Sequence, residues 1–365
     1  MDLTRRELGR MAAGSALSQL ALDLRAQDAG KGLRYGIVGL GRISMQHFMP
    51  ALKASQGSRV TALVSGHRDK AEKMAAEYGV PSKSIYSYEN YDAIAGNNEI
   101  DAVYIALPNS MHAEYTIRAA KAGKHVLCEK PMATTVKDSE AMIDACRKAN
   151  KKLMIAYRCQ YEPTNARAIR LIRDGKLGKI EAIESANGFN IAPNEWRCNR
   201  KLAGGGPLMD VGIYSLNALR YLTGEEPAEV EARSSVIDHD GRFNEVEENL
   251  SWTMKFPSGI VTSCNTTYGA SMPGFYRVHG AKGMIHAEPA FAYQGLRLTA
   301  KIQGEPDIDE PNHQKDPSQF TLEADHFAQC VTENKEPKTN GEEGLRDMKI
   351  MVDIYRSCAA KSRVR

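Results

Sequence analysis

The chain has 365 residues, 42% hydrophobic and 25% charged, the make-up of an ordinary globular protein with length for about two domains. Its formal net charge is only +3, with basic residues scattered among acids, which excludes a dense basic face and with it nucleic acid as the main partner. Seven cysteines, an odd count with no pair at zinc-ligand spacing, argue against a disulfide framework and against a metal site.

The first residues differ from the rest. Thr4-Arg5-Arg6-Glu7-Leu8 is a twin-arginine start, the weakly apolar run Met11 to Leu24 follows, and Leu24-Arg25-Ala26 could precede a cleavage site. Residues 1–28 therefore read as a twin-arginine export signal and a short arm, which implies a periplasmic protein carried out folded. The apolar part is too short for a membrane span. The competing reading is a soluble N-terminal helix.

The next stretch organises the chain. An apolar run, Leu33 to Val38, reaches Gly39-Leu40-Gly41-Arg42-Ile43-Ser44 and passes into a helical pattern up to Ser55. A strand, a Gly-rich turn and a helix start form a dinucleotide site: Gly39 permits the turn, Gly41 admits a pyrophosphate, and the free N–H groups from Arg42 and Ile43 onward face that anion. Ser44 occupies the third glycine position. Strands at Ser58–Ser65, Asp101–Leu107, Lys124–Cys128 and Leu153–Tyr157 alternate with helices at Arg68–Tyr78, His112–Ala122 and Val136–Asn150. That alternation predicts a parallel, doubly wound Rossmann domain over 32–157.

The remainder, 158–365, reads as an α+β domain for substrate binding and oligomerisation. Helices are expected at Thr164–Asp174 and Pro207–Leu222. Alternating stretches at Glu229–Ile237, Glu247–Phe256, Gly259–Tyr268, Tyr276–His279, Gly283–Ala287 and Leu296–Ile302 predict a large, mostly antiparallel sheet with one open face. Helices at Glu323–Glu333 and Glu342–Ala360 close the chain.

The end of the second strand selects the cofactor. An acid there would bind the 2′-hydroxyl of NAD. Instead the strand ends in Ser65, with Arg68 and Lys70 nearby, a hydroxyl and cations that suit the 2′-phosphate of NADP; Asp69 is the dissenting charge. Leu107-Pro108-Asn109-Ser110-Met111-His112 and Cys128-Glu129-Lys130-Pro131 follow parallel strands at their carboxyl ends, where ligands of such sheets bind. Pro131 keeps Lys130 out of helical geometry, so its side chain can enter the crevice. Asp210 and Tyr214 are four apart on an expected helix that opens after Gly204-Gly205-Gly206, a loop suited to close approach. Tyrosine ionises near pH 10, too high for a base at neutral pH, and a neighbouring Lys130 ammonium would lower it.

With those stretches in place the chain resembles the Gfo/Idh/MocA oxidoreductases, and within them the glucose–fructose oxidoreductase branch. The carrying segments include Tyr35–Gly41, Ala62–Gly66, Leu107-Pro-Asn-Ser110, Cys128–Thr134, Leu202–Gly206 and Gly341-Glu-Glu-Gly344. The resemblance implies that Ser65 and Lys70 meet the 2′-phosphate of NADP. It implies that Tyr88, Leu107, Asn109, His112, Glu129, Arg158, Trp196 and Arg197 line the cofactor. Lys130, Asp210 and Tyr214 would form the catalytic group, and Tyr161 and Tyr268 would join them around the substrate. The implied activity is transfer of a hydride from C1 of an aldose, giving a lactone, to NADP and on to a second sugar. A simple dehydrogenase with exchanging NADP and a non-catalytic NADP- or sugar-sensing regulator are the alternatives. The branch uses a long N-terminal arm for tetramers; only a few residues stand there in this chain, so a homodimer through the open sheet face is expected.

Overall fold

The computed structural model describes residues 32–359, so the twin-arginine segment lies outside the described residues. Strands β1 (Leu33–Val38), β2 (Ser58–Val64), β3 (Ile85–Tyr86), β4 (Ala102–Ile105), β5 (His125–Glu129) and β6 (Leu153–Ala156) form one parallel sheet in the order β3-β2-β1-β4-β5-β6. β4 and β6 are buried throughout and β1 nearly so, because helices cover both faces. Strands are added outward on one side of β1 and then, from β4, on the other, so the winding order switches between β1 and β4, the point at the strands' carboxyl ends where such sheets bind ligands. The helix Arg68–Tyr78 has the expected bounds and stops at Gly79, whose φ of 68° is left-handed.

Eight further strands form the second sheet, in the order β14-β13-β12-β11-β7-β10-β9-β8. They are β7 (Ile180–Gly188), β8 (Glu229–Ser235), β9 (Asn249–Lys255), β10 (Val261–Thr267), β11 (Met272–Gly280), β12 (Gly283–Ala287), β13 (Arg297–Ile302) and β14 (Ile308–Pro311). All neighbours pair antiparallel except β7 and β10. The sequence pattern does not predict the central strand β7. Its Ile-Glu-Ala-Ile-Glu-Ser-Ala run carries helix-favouring Glu and Ala, and its strand state is imposed by the neighbours on either side. The short edge strands β3 and β14 are likewise too brief to show a period in sequence.

Two helices at the crevice begin with a wide π-helical turn: Ser44–Phe48 leads into Met49–Ala54, and Leu208–Gly212 leads into Ile213–Thr223. Such turns recur at functional positions. The second helix lies on the large sheet. Ser185 Oγ donates to Ser215 Oγ at 2.8 Å, Asn187 Nδ2 donates to the Val211 carbonyl at 3.2 Å, and Gly212 approaches Thr266 so closely that a Cβ would sit 3.0 Å from its methyl. Arg220, from the same helix, reaches Glu343 and Asp347 of the helix Gly341–Ala359 at 2.9 and 2.5 Å, a buried network in which the charges are paired.

The last two helices return to the first domain. Phe320, Ala324, Phe327 and Ala328 of the helix Ser318–Thr332 share a core with Tyr35, Ile37 and Phe48. The Ile155 N–H donates to the Thr339 carbonyl at 2.7 Å. Residues beyond 158 thus complete the packing of the domain built on the parallel sheet.

Glu323 faces that core with no exposed surface, and neither carboxyl oxygen meets a protein donor. Burial, reinforced by Glu129, pushes its carboxyl well above the usual carboxylate range. The folded state therefore holds a proton that the unfolded state releases at about pH 4.3, and stability falls as pH rises from there through the raised folded value. Glu323→Gln should remove this decline. By calorimetry the variant should match wild type near pH 4 and melt higher at pH 8, by about 2–4 °C for each kcal/mol gained. Equal or lower melting at pH 8 would contradict the neutral-acid assignment.

Candidate active site

Five parallel strands deliver their following residues to one edge: Gly39 after β1, Ser65 after β2, Leu107 after β4, Lys130 after β5 and Arg158 after β6. Gly39 has φ 94°, and a Cβ there would fall on the Ala106 carbonyl. Gly41 differs: its φ is not left-handed, and a Cβ would meet no protein atom within 4 Å. Ser44 donates to the Gly39 carbonyl at 2.6 Å, which explains a serine in the third glycine position. Arg42 is exposed and Ile43 half-buried at the helix start. Lys70 Nζ donates to the Leu40 carbonyl at 3.0 Å, so the lysine lies across this turn, while Ser65 Oγ accepts from the His67 N–H at 3.0 Å. Tyr88 stands beside Gly66, where a Cβ would be 3.2 Å from its ring.

Lys130, Asp210 and Tyr214 meet. Lys130 Nζ donates to the Asp210 carbonyl at 2.7 Å and to its Oδ1 at 3.3 Å, and it lies 4.6 Å from the centre of the Tyr214 ring. Oδ2 of Asp210 accepts from the Tyr268 hydroxyl at 3.0 Å and pairs with Arg197 Nε at 2.9 Å. Burial pushes the Asp210 carboxyl up, but Lys130, Arg197 and Tyr268 outweigh it and hold the group below the usual carboxylate range. Asp210 is therefore a fixed anion between two cations. Arg197 also covers the Trp196 ring at 4.7 Å, and Phe189 meets Tyr268 edge-on at 5.2 Å.

Tyr214 is half-buried. Burial pushes its phenol well above the ordinary value and Arg158 pulls it down. The sequence reading gives that second role to a neighbouring Lys130, but the lysine ammonium is committed to Asp210. Glu129 accepts from the Tyr104 hydroxyl at 2.6 Å, and burial raises its carboxyl against the pull of Lys130.

Several expected lining residues face inward. His112 is buried, with Nδ1 2.9 Å from the Pro131 carbonyl and Nε2 2.9 Å from that of Leu107, so it fastens the Lys130 loop to its neighbour. Asn109 donates to the Ala203 carbonyl at 2.8 Å. Leu107 is buried. Tyr161 is not joined to the cluster: its hydroxyl pairs with Thr339 Oγ1 at 2.9 Å and its ring packs on His326. Gly205 and Gly206 make close approaches, but to Tyr355 and Glu247. One residue missed in sequence is Tyr293. It stacks on His47, covers Arg158 at 4.5 Å and stays 38% exposed beside the crevice. Its only signal was a second aromatic, two residues after Phe291, in the segment between two expected strands.

Residues 33–157 match the oxidoreductase family with an NAD-binding Rossmann fold, and residues 165–286 match the GFO/IDH/MocA C-terminal domain. The crystal structure of an aldose-aldose oxidoreductase from Caulobacter crescentus superposes with a TM-score of 0.87 at 45% identity, covering 90% of this chain and 98% of that one. A D-xylose 1-dehydrogenase [NADP(+)] from Haloarcula marismortui is 32% identical over 339 residues, 91% of this chain and 93% of that protein. A 3-ketoreductase from Actinomadura kijaniata, 24% identical with a TM-score of 0.78 over 90% of this chain and 98% of its own, shares the fold. With a parallel nucleotide-binding sheet, a second open sheet and the catalytic-type cluster between them, the chain belongs to the GFO/IDH/MocA family of oxidoreductases.

Proposed function

We propose that this chain is an NADP-dependent sugar oxidoreductase that oxidises an aldose at C1 to a lactone and passes the hydride to a second sugar through tightly held NADP(H). The observation that carries the reading is the convergence of Lys130, Asp210 and Tyr214 at the ligand edge of the nucleotide-binding sheet. The 45% identity to a protein named for transfer between two aldoses supports the two-sugar cycle. A second reading, a dehydrogenase whose NADP exchanges with solvent, draws on the D-xylose relative.

The residues fit NADP. The open surface over Gly41 leaves room for a pyrophosphate, and Ser65 with Lys70 offers a hydroxyl and a cation where an acid would select NAD. NADP, when bound, supplies the hydride acceptor, a positively charged ring and, once reduced, the hydride donor. Lys130 holds the anomeric hydroxyl in place through its ammonium. Tyr214 takes the proton of that hydroxyl as the hydride leaves C1, and returns a proton to the second sugar. Asp210 keeps the ammonium aimed, itself fixed by Arg197 and Tyr268. Export of the folded, loaded protein and pairing of two copies through the open sheet face, where Ser251, Thr253, Ser263 and Asn265 are exposed, belong to the same proposal. Fractionation that finds the protein in the cytoplasm, or light scattering that finds a monomer, would remove them.

Gly41→Ala separates a structural glycine from a cofactor one. Its melting temperature should match wild type, since the added methyl meets no protein atom, while NADP affinity in titration should fall at least about tenfold, or about 1.4 kcal/mol. Unchanged affinity would move the pyrophosphate away from this turn.

Tyr214→Phe keeps the ring over which Lys130 lies and removes the proton-transfer oxygen. Turnover of aldose with a second sugar should fall about 10²–10⁴-fold with cofactor content unchanged. Near-normal turnover would defeat the mechanism. Wild-type turnover that demands added NADP would favour the simple dehydrogenase.

A further inference from the structure

Arg158 is only 4% exposed, yet it touches no carboxylate. Nη1 donates to Gln319 Oε1 at 2.5 Å and to the Ala292 carbonyl at 3.2 Å, and Nη2 donates to the Phe291 carbonyl at 2.6 Å. All three acceptors are neutral. Nε is buried without a partner. Buried charges are ordinarily paired, because an isolated one forfeits its hydration. The guanidinium is enclosed by aromatic rings, at 4.9 Å from the centre of Tyr214 and 4.5 Å from that of Tyr293. Lys130 presents the opposite case: it lies over the same tyrosine ring, but its charge is already matched by Asp210.

From this asymmetry we infer that Arg158 is the cation that stabilises the Tyr214 phenolate, whereas Lys130 chiefly holds the substrate hydroxyl. Arg158 is thus a positioning residue that acts through Tyr214. Its own anchors, the two carbonyls and Gln319, fix it against Tyr214 without neutralising it. The other titratable and charged groups facing Tyr214 are Glu129 at the end of β5, Lys130 just after it, Cys159 beside Arg158, Asp210 from its own helix and Tyr293 from the loop after β12. Of the cations among these, only Arg158 lacks a contacting carboxylate. When Tyr214 gives up its proton, the charge it gains meets a guanidinium that no carboxylate contacts, although Glu129 and Glu323 lie within its electrostatic reach. The inference rests on Tyr214 being the acid–base group proposed above.

The test has two arms. In the first, the pH dependence of aldose oxidation is followed in Arg158→Gln, Arg158→Lys and Lys130→Met. The acid limb, below which Tyr214 stays protonated, should move up by about 1–3 pH units in Arg158→Gln and largely return in Arg158→Lys. Lys130→Met should lose turnover at every pH and leave the limb in place. A limb unmoved in Arg158→Gln, or moved as far in Lys130→Met, overturns the inference. If the Arg158 variants do not fold, Lys130→Met alone decides, since a displaced limb there assigns the role to lysine. The second arm needs neither sugar nor cofactor. Tyr214→3-nitrotyrosine carries a phenol that ionises near neutral pH and changes colour. Its titration should move to higher pH on adding Arg158→Gln and stay on adding Lys130→Met; the reverse pattern refutes the inference. If no aldose is oxidised by wild type, the sugar reading fails in the first arm, while the colour titration of the second still decides between Arg158 and Lys130.

Discussion

The structure depends on one half-buried anion. Asp210 comes from a helix of the sheet domain, and Lys130 comes from the carboxyl end of a strand in the nucleotide-binding domain. Their contact joins the two halves at the carboxyl ends of the parallel strands. Desolvation alone pushes this carboxyl toward its neutral form, but Lys130 and Arg197 on either side and the Tyr268 hydroxyl outweigh it and favour the anion. The same three partners fix its two oxygens separately: Oδ1 faces Lys130, while Oδ2 faces Arg197 and Tyr268. A charge fixed in this way costs no reorganisation during the reaction, the condition under which electrostatic groups are most effective.

The scaffold around that anion serves position more than contact. The helix bearing Asp210 and Tyr214 rests on the large sheet through Ser185, Asn187 and Thr266, and its first turn is wide. His112 spans the two loops that frame the Lys130 side of the crevice. Ahead of the helix, Tyr355 presses on Gly205 and Glu247 on Gly206, and Gly204 takes a left-handed φ of 83° against Thr134. Most of these residues touch no ligand position. Their substitution would displace groups that do, and displacements of about 1 Å can cost 10²-fold in rate.

The nucleotide-binding half was nearly complete in the sequence, because local signals determine it. Apolar runs end at Gly39, Ser65 and Pro108, and helices stop at glycines, so period and punctuation agree. The second half was less legible. β7 is the central strand of its sheet, yet its Glu and Ala residues speak for a helix, and only pairing with β10 and β11 makes it extended. The group Lys130, Asp210 and Tyr214 was recoverable from motifs, since each sits at a punctuated position. The inward turn of Asn109, His112 and Tyr161 was not, because burial depends on packing partners far along the chain. Nor was the share of work between Lys130 and Arg158: which cation is neutralised depends on Asp210, Gln319 and the 291–292 carbonyls, a relation of tertiary structure with no trace in spacing.

The central claim is that a hydride leaves C1 of an aldose beside this cluster and passes through NADP to a second sugar. Mass spectrometry with an aldose deuterated at C1 tests it most directly. The account predicts that the label appears first on the nicotinamide recovered from the protein and then, after the second sugar is added, on carbon in the reduced product. Its first transfer should also be slower than that of the unlabelled aldose. Label that remains on the aldose, or that is lost to water, would contradict it.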